Sequence, residues 1–408
     1  MKTHAAVQRL DLTNPELLIN GWSLESLTLR AGRTPFFAYD RSHIQERVGQ
    51  LREQLPPRIG LHYAIKANPM PAVVQLMSEL VDGLDVASVG ELRVALDTGI
   101  APSRVSFAGP AKGDHELAAA IGSGVLINVE SPAELERIQV IACERGMTAR
   151  IALRVNPDFE LKSSGMKMGG GAKPFGIDAE RIPALLDTLR ESSFVSLCGL
   201  HIFCGSQNLR ADSLAQAHAQ TFDLARRLTE HWGQPFESIN IGGGLGIPYF
   251  PGEPALDGAV IGEQLAALLG EHQNWLADTE LVMELGRYLV GEAGYYVCRI
   301  IERKESRGQT FLMCDGGLHH HLANSGNFGQ VLRKNYPVVI GNRLNQPASE
   351  TVTAQGPLCT PLDVIADRME LPRAEPGDWL VVLQSGAYGA SASPAAFLGH
   401  PPAVELLV

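Results

Sequence analysis

The sequence predicts an α/β protein: a (β/α)8 TIM-like barrel joined to a C-terminal β-rich domain. Three observations predict it. Short β-rich runs, apolar on both faces, alternate with stretches whose apolar residues recur at helical spacing, the pattern of a parallel sheet covered by helices. Eight such runs fall within about 220 residues, the number a closed barrel needs. After residue 290 the pattern changes to strands separated by turns, with little helix. A doubly wound open sheet is the alternative arrangement for the first part.

The eight runs are "YAIKA" (63–67), "LDVAS" (84–88), "VSFAG" (105–109), "LINVE" (126–130), "IALRV" (151–155), "GLHIF" (199–203), "INIGG" (239–243) and "LVMELG" (281–286). Segments such as "PAVVQLMSEL" and "PAELERIQVIACERG" between them read as helices. "TPFFAYD" (34–40) is a strand before the barrel begins. The division expected is residues 1–35 as a segment joining the β-domain, 36–290 as the barrel and 291–408 as the C-terminal β-domain.

The chain has 408 residues, 45% of them hydrophobic, enough for a sizeable core. Its 45 acidic and 34 basic residues give a formal net charge of −11. No dense Lys/Arg block occurs, which argues against a nucleic-acid surface. No apolar run approaches a membrane span. The N-terminus lacks the apolar core of a signal peptide. The six cysteines form no CxxC pair and read as reduced thiols, so a cytoplasmic location is expected.

In a barrel of this kind the chemistry sits at the C-terminal ends of the strands. Those ends carry Lys66, Asp85 with Ser88, Arg154 to Asn156, His201 to Ser206, Gly242 to Gly244, and Glu284 with Arg287. They come from different strands yet share one face. Lys66 interrupts an apolar run, "HYAIKAN". Either its head reaches water from the strand's end, or its amine has a lowered pKa and attacks a carbonyl.

"INIGGGLGIPY" (239–249) is a glycine-rich turn leaving a strand. It either cradles an anion, with help from a following helix start, or is a plain tight turn. It is neither a nucleotide P-loop nor a dinucleotide fingerprint. Glu284 in "MELGRY" needs a cationic or hydrogen-bonded partner: either Arg287 forms an internal ion pair with it, or Arg287 projects toward the glycine turn, where a phosphate would attract it. Cys359 in "GPLCTPLD" and Tyr388 in "QSGAYG" are either core residues or site groups brought in by the β-domain. His319, His320 and His321 are adjacent and point to opposite faces of any strand, so no metal site is expected. The segment "SSGMKMGGGAKPFG" (163–176) reads as a lid or as a surface loop.

Taken in order, Y-x-x-K-A-N, H-x-x-x-G-S-Q, G-G-G, E-x-G-R-Y, G-P-x-C and G-A-Y resemble the fold-type III pyridoxal-phosphate decarboxylases. These are the diaminopimelate, ornithine and arginine decarboxylases, with alanine racemase more distant. The resemblance runs from about residue 30 to 408. It is strongest to two subgroups. One is the decarboxylase encoded with exosortase A systems, through "DGGLHHHLANSGNFGQVLRKNYPV" and "SPAAFLGHP". The other is the butirosin-pathway decarboxylase of a glutamyl-carrier-protein thioester, through "MKMGG" and "GPLCTP".

The resemblance implies an α-decarboxylase of an amino acid or amino-acid derivative that uses pyridoxal 5'-phosphate. Lys66 would hold the cofactor as a Schiff base and Glu284 would pair with the pyridine nitrogen. Ser206, Gly243, Gly244, Gly286, Arg287 and Tyr388 would surround the phosphate. Asp85 would support the Lys66 region, with Arg154, His201 and Phe203 also around the cofactor. Cys359 would protonate Cα from the partner chain of a homodimer with shared active sites. Arg333, Thr360 and Tyr388 would meet the substrate.

Two positions depart from the better-known members. Phe203 stands where diaminopimelate decarboxylases place a stacking imidazole, and the histidine is His201. Thr360 replaces the acidic residue that follows the G-P-x-C cysteine, so a diamino substrate would lose an ion pair worth about 2–5 kcal/mol if buried. The competing readings are a decarboxylase of a carrier-bound aminoacyl thioester, an amino-acid racemase and a non-catalytic cofactor carrier.

Overall fold

Eight runs that are apolar on both faces do form strands, and each lies parallel to its neighbours. The computed structural model describes residues 4–162, 165–326 and 334–408 of the chain. The strands are β1 Ile59–Ala64, β2 Gly83–Val86, β3 Val105–Phe107, β4 Leu126–Val129, β5 Ala149–Asn156, β6 Val195–Ile202, β7 Ser238–Asn240 and β8 Glu280–Leu285. Pairing runs β1 to β8 in order, and β8 pairs with β1, so the sheet closes into a barrel. Closure leaves no strand edge unpaired.

The helices between strands carry their own start and stop signals. Pro132–Arg145 begins with Ser131, whose hydroxyl accepts the Glu134 N–H, and ends at Gly146 in a left-handed conformation. Val89–Asp97 begins the same way, with Ser88 accepting from the Glu91 N–H. Ser88 is thus a helix cap. Gly199 of β6 is dictated by packing: a Cβ there would lie 2.0 Å from the Ser238 carbonyl of β7.

The chain forms two units. The barrel unit spans Arg47–Ile247 and Ala255–Tyr288. The other takes the chain up to Glu46, Pro248–Pro254 and Leu289–Val408. In this second unit the strand Phe36–Tyr39 runs antiparallel to Gly294–Ser306 and parallel to Val404–Leu407. Residues from 36 to 46 therefore belong to the β unit and not to the barrel, because the partners of that strand lie in the C-terminal third of the chain. Gly294–Ser306 also pairs with Gln309–Cys314 and Trp379–Val382. Leu24, Leu27, Phe36, Val297 and Val381 pack into the core of this unit, each fully buried.

Each unit encloses a neutral histidine. His218 on the helix Ala211–Trp232 is buried, with neither ring nitrogen hydrogen-bonded among the described residues. Burial lowers its pKa to about 4. In the β unit, burial pushes His321 down to about 3. An unfolded histidine takes a proton near pH 6.5, so below that pH the unfolded chain binds more protons than the folded one. Stability is expected to fall as pH drops from 6.5 toward 4. His218 alone should account for about 2 kcal/mol of the loss by pH 5. Urea unfolding at pH 7 and pH 5 checks this, and the difference should shrink by that amount in His218→Leu.

Candidate active site

β1 ends at Ala64, and a short 3-10 turn, Ile65–Ala67, carries Lys66 at the barrel's C-terminal mouth. Ile65 and Ala67 are buried while the Lys66 side chain is 44% exposed. The turn thus presents the amine without burying it. Its Nζ lies 3.6 Å from Glu284 Oε1 and 5.6 Å from the centre of the Phe203 ring.

Glu284 enters from β8 and its side chain is 5% exposed. The carboxylate uses its second oxygen, Oε2, to accept His201 Nε2–H at 3.1 Å. Burial would push its pKa up. The Lys66 charge, the His201 hydrogen bond and charge, and the Arg154 charge outweigh burial and hold the group below the usual carboxylate range. Glu284 is an anion inside the barrel.

His201 and Phe203 separate on this point. His201 of β6 is buried and bonded to Glu284, while Phe203 lies beside the Lys66 amine, the two rings being 6.4 Å apart. Asp85 of β2 accepts at Oδ1 from Ser106 Oγ at 2.5 Å and lies 3.1 Å from His62 Nδ1. Arg154 of β5 donates from Nη1 to Glu130 Oε1 at 2.5 Å, and the Phe175 ring lies 5.1 Å from its guanidinium.

The glycine turn follows β7. Gly242 and Gly244 take positive φ of 75° and 95°, and a Cβ on Gly243 would lie 2.0 Å from the Glu284 carbonyl oxygen. Asn240 Oδ1 accepts the Gly242 N–H at 2.8 Å. The turn is not followed by a helix start, since the next helix begins at Gly258. Any anion affinity there comes from main-chain N–H groups without a helix dipole. Gly286 brings β8 against the end of β1: a Cβ on it would lie 2.9 Å from the Ala67 methyl. Arg287 opens the helix Arg287–Val290, and Ser206 lies in a two-residue strand paired with Met166–Lys167.

That pairing bears on the expected lid. Residues 163 and 164 lie outside the described residues. The rest of the segment is fastened to the barrel rim. Met168 and Gly169 N–H groups donate to the Cys204 carbonyl, the Gly170 N–H to Asn156 Oδ1, and the Gly176 N–H to Glu130 Oε2. Glu130 also accepts the Gly109 N–H, so one carboxylate ties three rim loops. The sequence reading singled out neither Glu130 nor His62. Glu130 ends the β-rich run 126–130, which was the available signal.

In the β unit, Cys359 is exposed and Tyr388 takes a positive φ of 54°. Thr360 Oγ1 accepts the Leu362 N–H at 3.3 Å. The loop is organised by Asp363, whose oxygens accept N–H groups of Leu318 at 2.6 Å and Leu358 at 2.8 Å. His320 and His321 are engaged inside this unit, with Tyr296 and the Pro401 carbonyl and with Ser385. Arg333 lies outside the described residues.

An accessible primary amine beside a buried anion is what an aldehyde cofactor with a basic ring nitrogen requires. Residues 41–291 match the family model described as the pyridoxal-binding domain of the pyridoxal-dependent decarboxylases. The chain belongs to that family. It is 39% identical over 379 residues to the L-glutamyl-[BtrI acyl-carrier protein] decarboxylase of Niallia circulans, covering 92% of this chain and 88% of that one. It is 31% identical over 401 residues to the diaminopimelate decarboxylase of Aquifex aeolicus, covering 98% and 92%. Among solved structures, the diaminopimelate decarboxylase of M. jannaschii in complex with L-lysine superposes with a TM-score of 0.87 at 25% identity, covering 98% and 92%. The chain is therefore a carboxy-lyase dependent on pyridoxal phosphate, with a barrel and a β-rich unit.

The residues present fit that cofactor. The Lys66 amine faces an opening wide enough to leave it half-exposed, and Glu284 is held ionised to meet a protonated pyridine nitrogen. Because the Gly243 position has no room for a methyl, Gly243→Ala is expected to cost about 1–3 kcal/mol of stability and to weaken cofactor binding. Urea unfolding and titration with pyridoxal 5'-phosphate check both.

Proposed function

We propose that Lys66 holds the cofactor aldehyde and that the substrate is an amino-acid derivative without a distal amine, of the carrier-linked aminoacyl thioester class. The observation that supports the first part is the Lys66–Glu284–His201 arrangement, with Nζ 3.6 Å and Nε2 3.1 Å from the two oxygens of one buried carboxylate. When bound, pyridoxal phosphate supplies an electron sink for the pair left on Cα as CO2 departs.

The chain's residues do the rest. Glu284 would hold a proton on the ring nitrogen, and His201 fixes the carboxylate. Phe203, 5.6 Å from the Lys66 amine, would contact the ring. Ser206, Gly243, Gly244, Gly286, Arg287 and Tyr388 would hold the phosphate, and Asp85 and Arg154 would support the pocket. Cys359 delivers the proton to Cα from the partner chain of a homodimer. Arg333, Thr360 and Tyr388 contact the substrate. We place the enzyme in the cytoplasm. Among the described residues no helix is long and apolar enough to cross a membrane.

The substrate reading is supported by Thr360 and by the 39% identity to a decarboxylase of a glutamyl carrier protein. A threonine supplies a hydrogen bond and no countercharge. Losing an ion pair of even about 2 kcal/mol costs about thirtyfold in kcat/KM for a diamino acid.

Two experiments test these assignments. Borohydride treatment of the holoenzyme followed by peptide mapping should place the reduced cofactor on Lys66. A label on another lysine ends the assignment. CO2 release should favour glutamyl carrier-protein thioester over meso-diaminopimelate, L-lysine and L-ornithine, and Thr360→Glu should raise diaminopimelate turnover about thirtyfold. Robust wild-type turnover of a free diamino acid refutes the substrate class.

A further inference from the structure

One imidazole in the barrel has no part in the chemistry above, yet it is tied into the core. His62 of β1 lies with Nδ1 3.1 Å from Asp85 Oδ1. The same oxygen accepts Ser106 Oγ–H at 2.5 Å, and Asn128 Nδ2 donates to Ser106 Oγ at 3.2 Å. Strands β1 to β4 each contribute one polar side chain to this run. Asp85 is 5% exposed, and its Oδ2 has no hydrogen-bond partner among the described residues. A buried carboxylate in this state needs a cation. His62 is the group of that kind in contact with it.

The sequence makes room for the ring. A Cβ on Gly83, the neighbour of His62 in the β1–β2 ladder, would lie 2.3 Å from His62 Nε2. The ring also borders a cavity of about 480 Å³ among the first residues of β1, β3, β4, β7 and β8, at the end of the barrel opposite Lys66. Four arginines line that cavity. Arg52 pairs with Asp82 and Arg150 with Glu237, while Arg58 and Arg104 donate to backbone carbonyls. The charges acting on the imidazole itself are the carboxylates of Asp85, Glu280 and Glu284. Burial favours the neutral ring. The Asp85 charge and hydrogen bond, with the two glutamates, outweigh it and raise the pKa above 6.5.

We propose that His62 is a positioning residue of this decarboxylase: facing the floor cavity and bonded to Asp85, it fixes that carboxylate in the barrel core. Asp85 stands in register with Ala64, two residues before Lys66. The charge on His62 also acts on Glu284, which lies 3.6 Å from the Lys66 amine. This inference rests on Lys66 being the cofactor lysine.

The test is a titration of the holoenzyme labelled with 15N at histidine, with the His62 signals assigned by their loss in His62→Asn. The wild-type ring is expected to carry both protons at pH 7. In Asp85→Asn the same ring should be neutral at pH 7, its midpoint lower by about one unit or more. The absorbance of the bound cofactor should change at the pH where His62 loses its proton. That change should vanish in His62→Asn, which keeps a neutral donor where Nδ1 stood. A ring with only a packing role would leave the spectrum flat there. A neutral His62 at pH 7, or a wild-type spectrum with no inflection at the His62 midpoint, overturns the proposal. Failure of borohydride to label Lys66 strikes at the functional reading instead, and the histidine titration still decides the charge on His62.

Discussion

The site depends on one constraint: the Glu284 carboxylate must stay charged inside the barrel. An isolated buried carboxylate would take up a proton, so the charge has to be held by partners. Two strand ends supply them, Lys66 after β1 and His201 in β6, each on its own oxygen. The partners differ in kind. His201 is buried, whereas the Lys66 side chain is 44% exposed and, on the proposed reading, would be the group engaged by the cofactor carbonyl. With the amine so engaged, a protonated ring nitrogen would take its place beside the His201 hydrogen bond and the Arg154 charge. The need of the carboxylate and the need of the cofactor are thus the same need. Breaking such a buried pair on one side costs about 3–5 kcal/mol, although the exposure of Lys66 places its own share well below that.

Holding these groups in place is a matter of close backbone approach at the rim. Gly243 and Gly286 let their chains approach the Glu284 carbonyl and the Ala67 methyl more closely than any side chain permits. Glu130 and Asn156 then fasten the segment after β5 through the N–H groups of Gly176 and Gly170. Fastening has a dynamic consequence. A segment whose hydrogen bonds run to buried carboxylate and amide groups opens only by breaking several of them together. It acts as a strap across the rim, which suits a site whose electrostatics require fixed distances.

The barrel was legible in the sequence because parallel strands buried on both faces read as plain apolar runs, and all eight stand near where the runs fall. The strand Phe36–Tyr39 was legible as a strand, but its membership was not. All four of its residues are buried in either setting, and its partners, Gly294–Ser306 and Val404–Leu407, lie hundreds of positions away. Lys66 and Glu284 stood out because charge is rare in apolar runs. Ser88 also stood out, for the wrong reason: a serine at a strand's end is as often the cap of the next helix, which is what it is. The anion cradle read into the glycine turn rests on glycine content alone, and glycine content does not distinguish a phosphate cradle from a close approach of two strands. His62 does not stand out because it lies just before the apolar run 63–67. Its partner Asp85 sits on the neighbouring strand, in a pairing no local pattern records.

Among the described residues, three buried carboxylates stand in barrel strands or at their ends, and each meets a basic side chain from another strand or strand end. Asp85 of β2 meets His62 of β1, Glu130 after β4 meets Arg154 of β5, and Glu284 of β8 meets Lys66 and His201. Neighbouring pairs also act on one another, since Arg154 lowers the Glu284 pKa and Glu284 raises that of His62. At the low effective dielectric of the interior, removing one member does not leave a local hole. It also changes the field on the next pair. The charge on Glu284 is therefore supported by Arg154 as well as by its own contacts. A barrel delivers such support because each of its eight strands turns alternate side chains to a common interior.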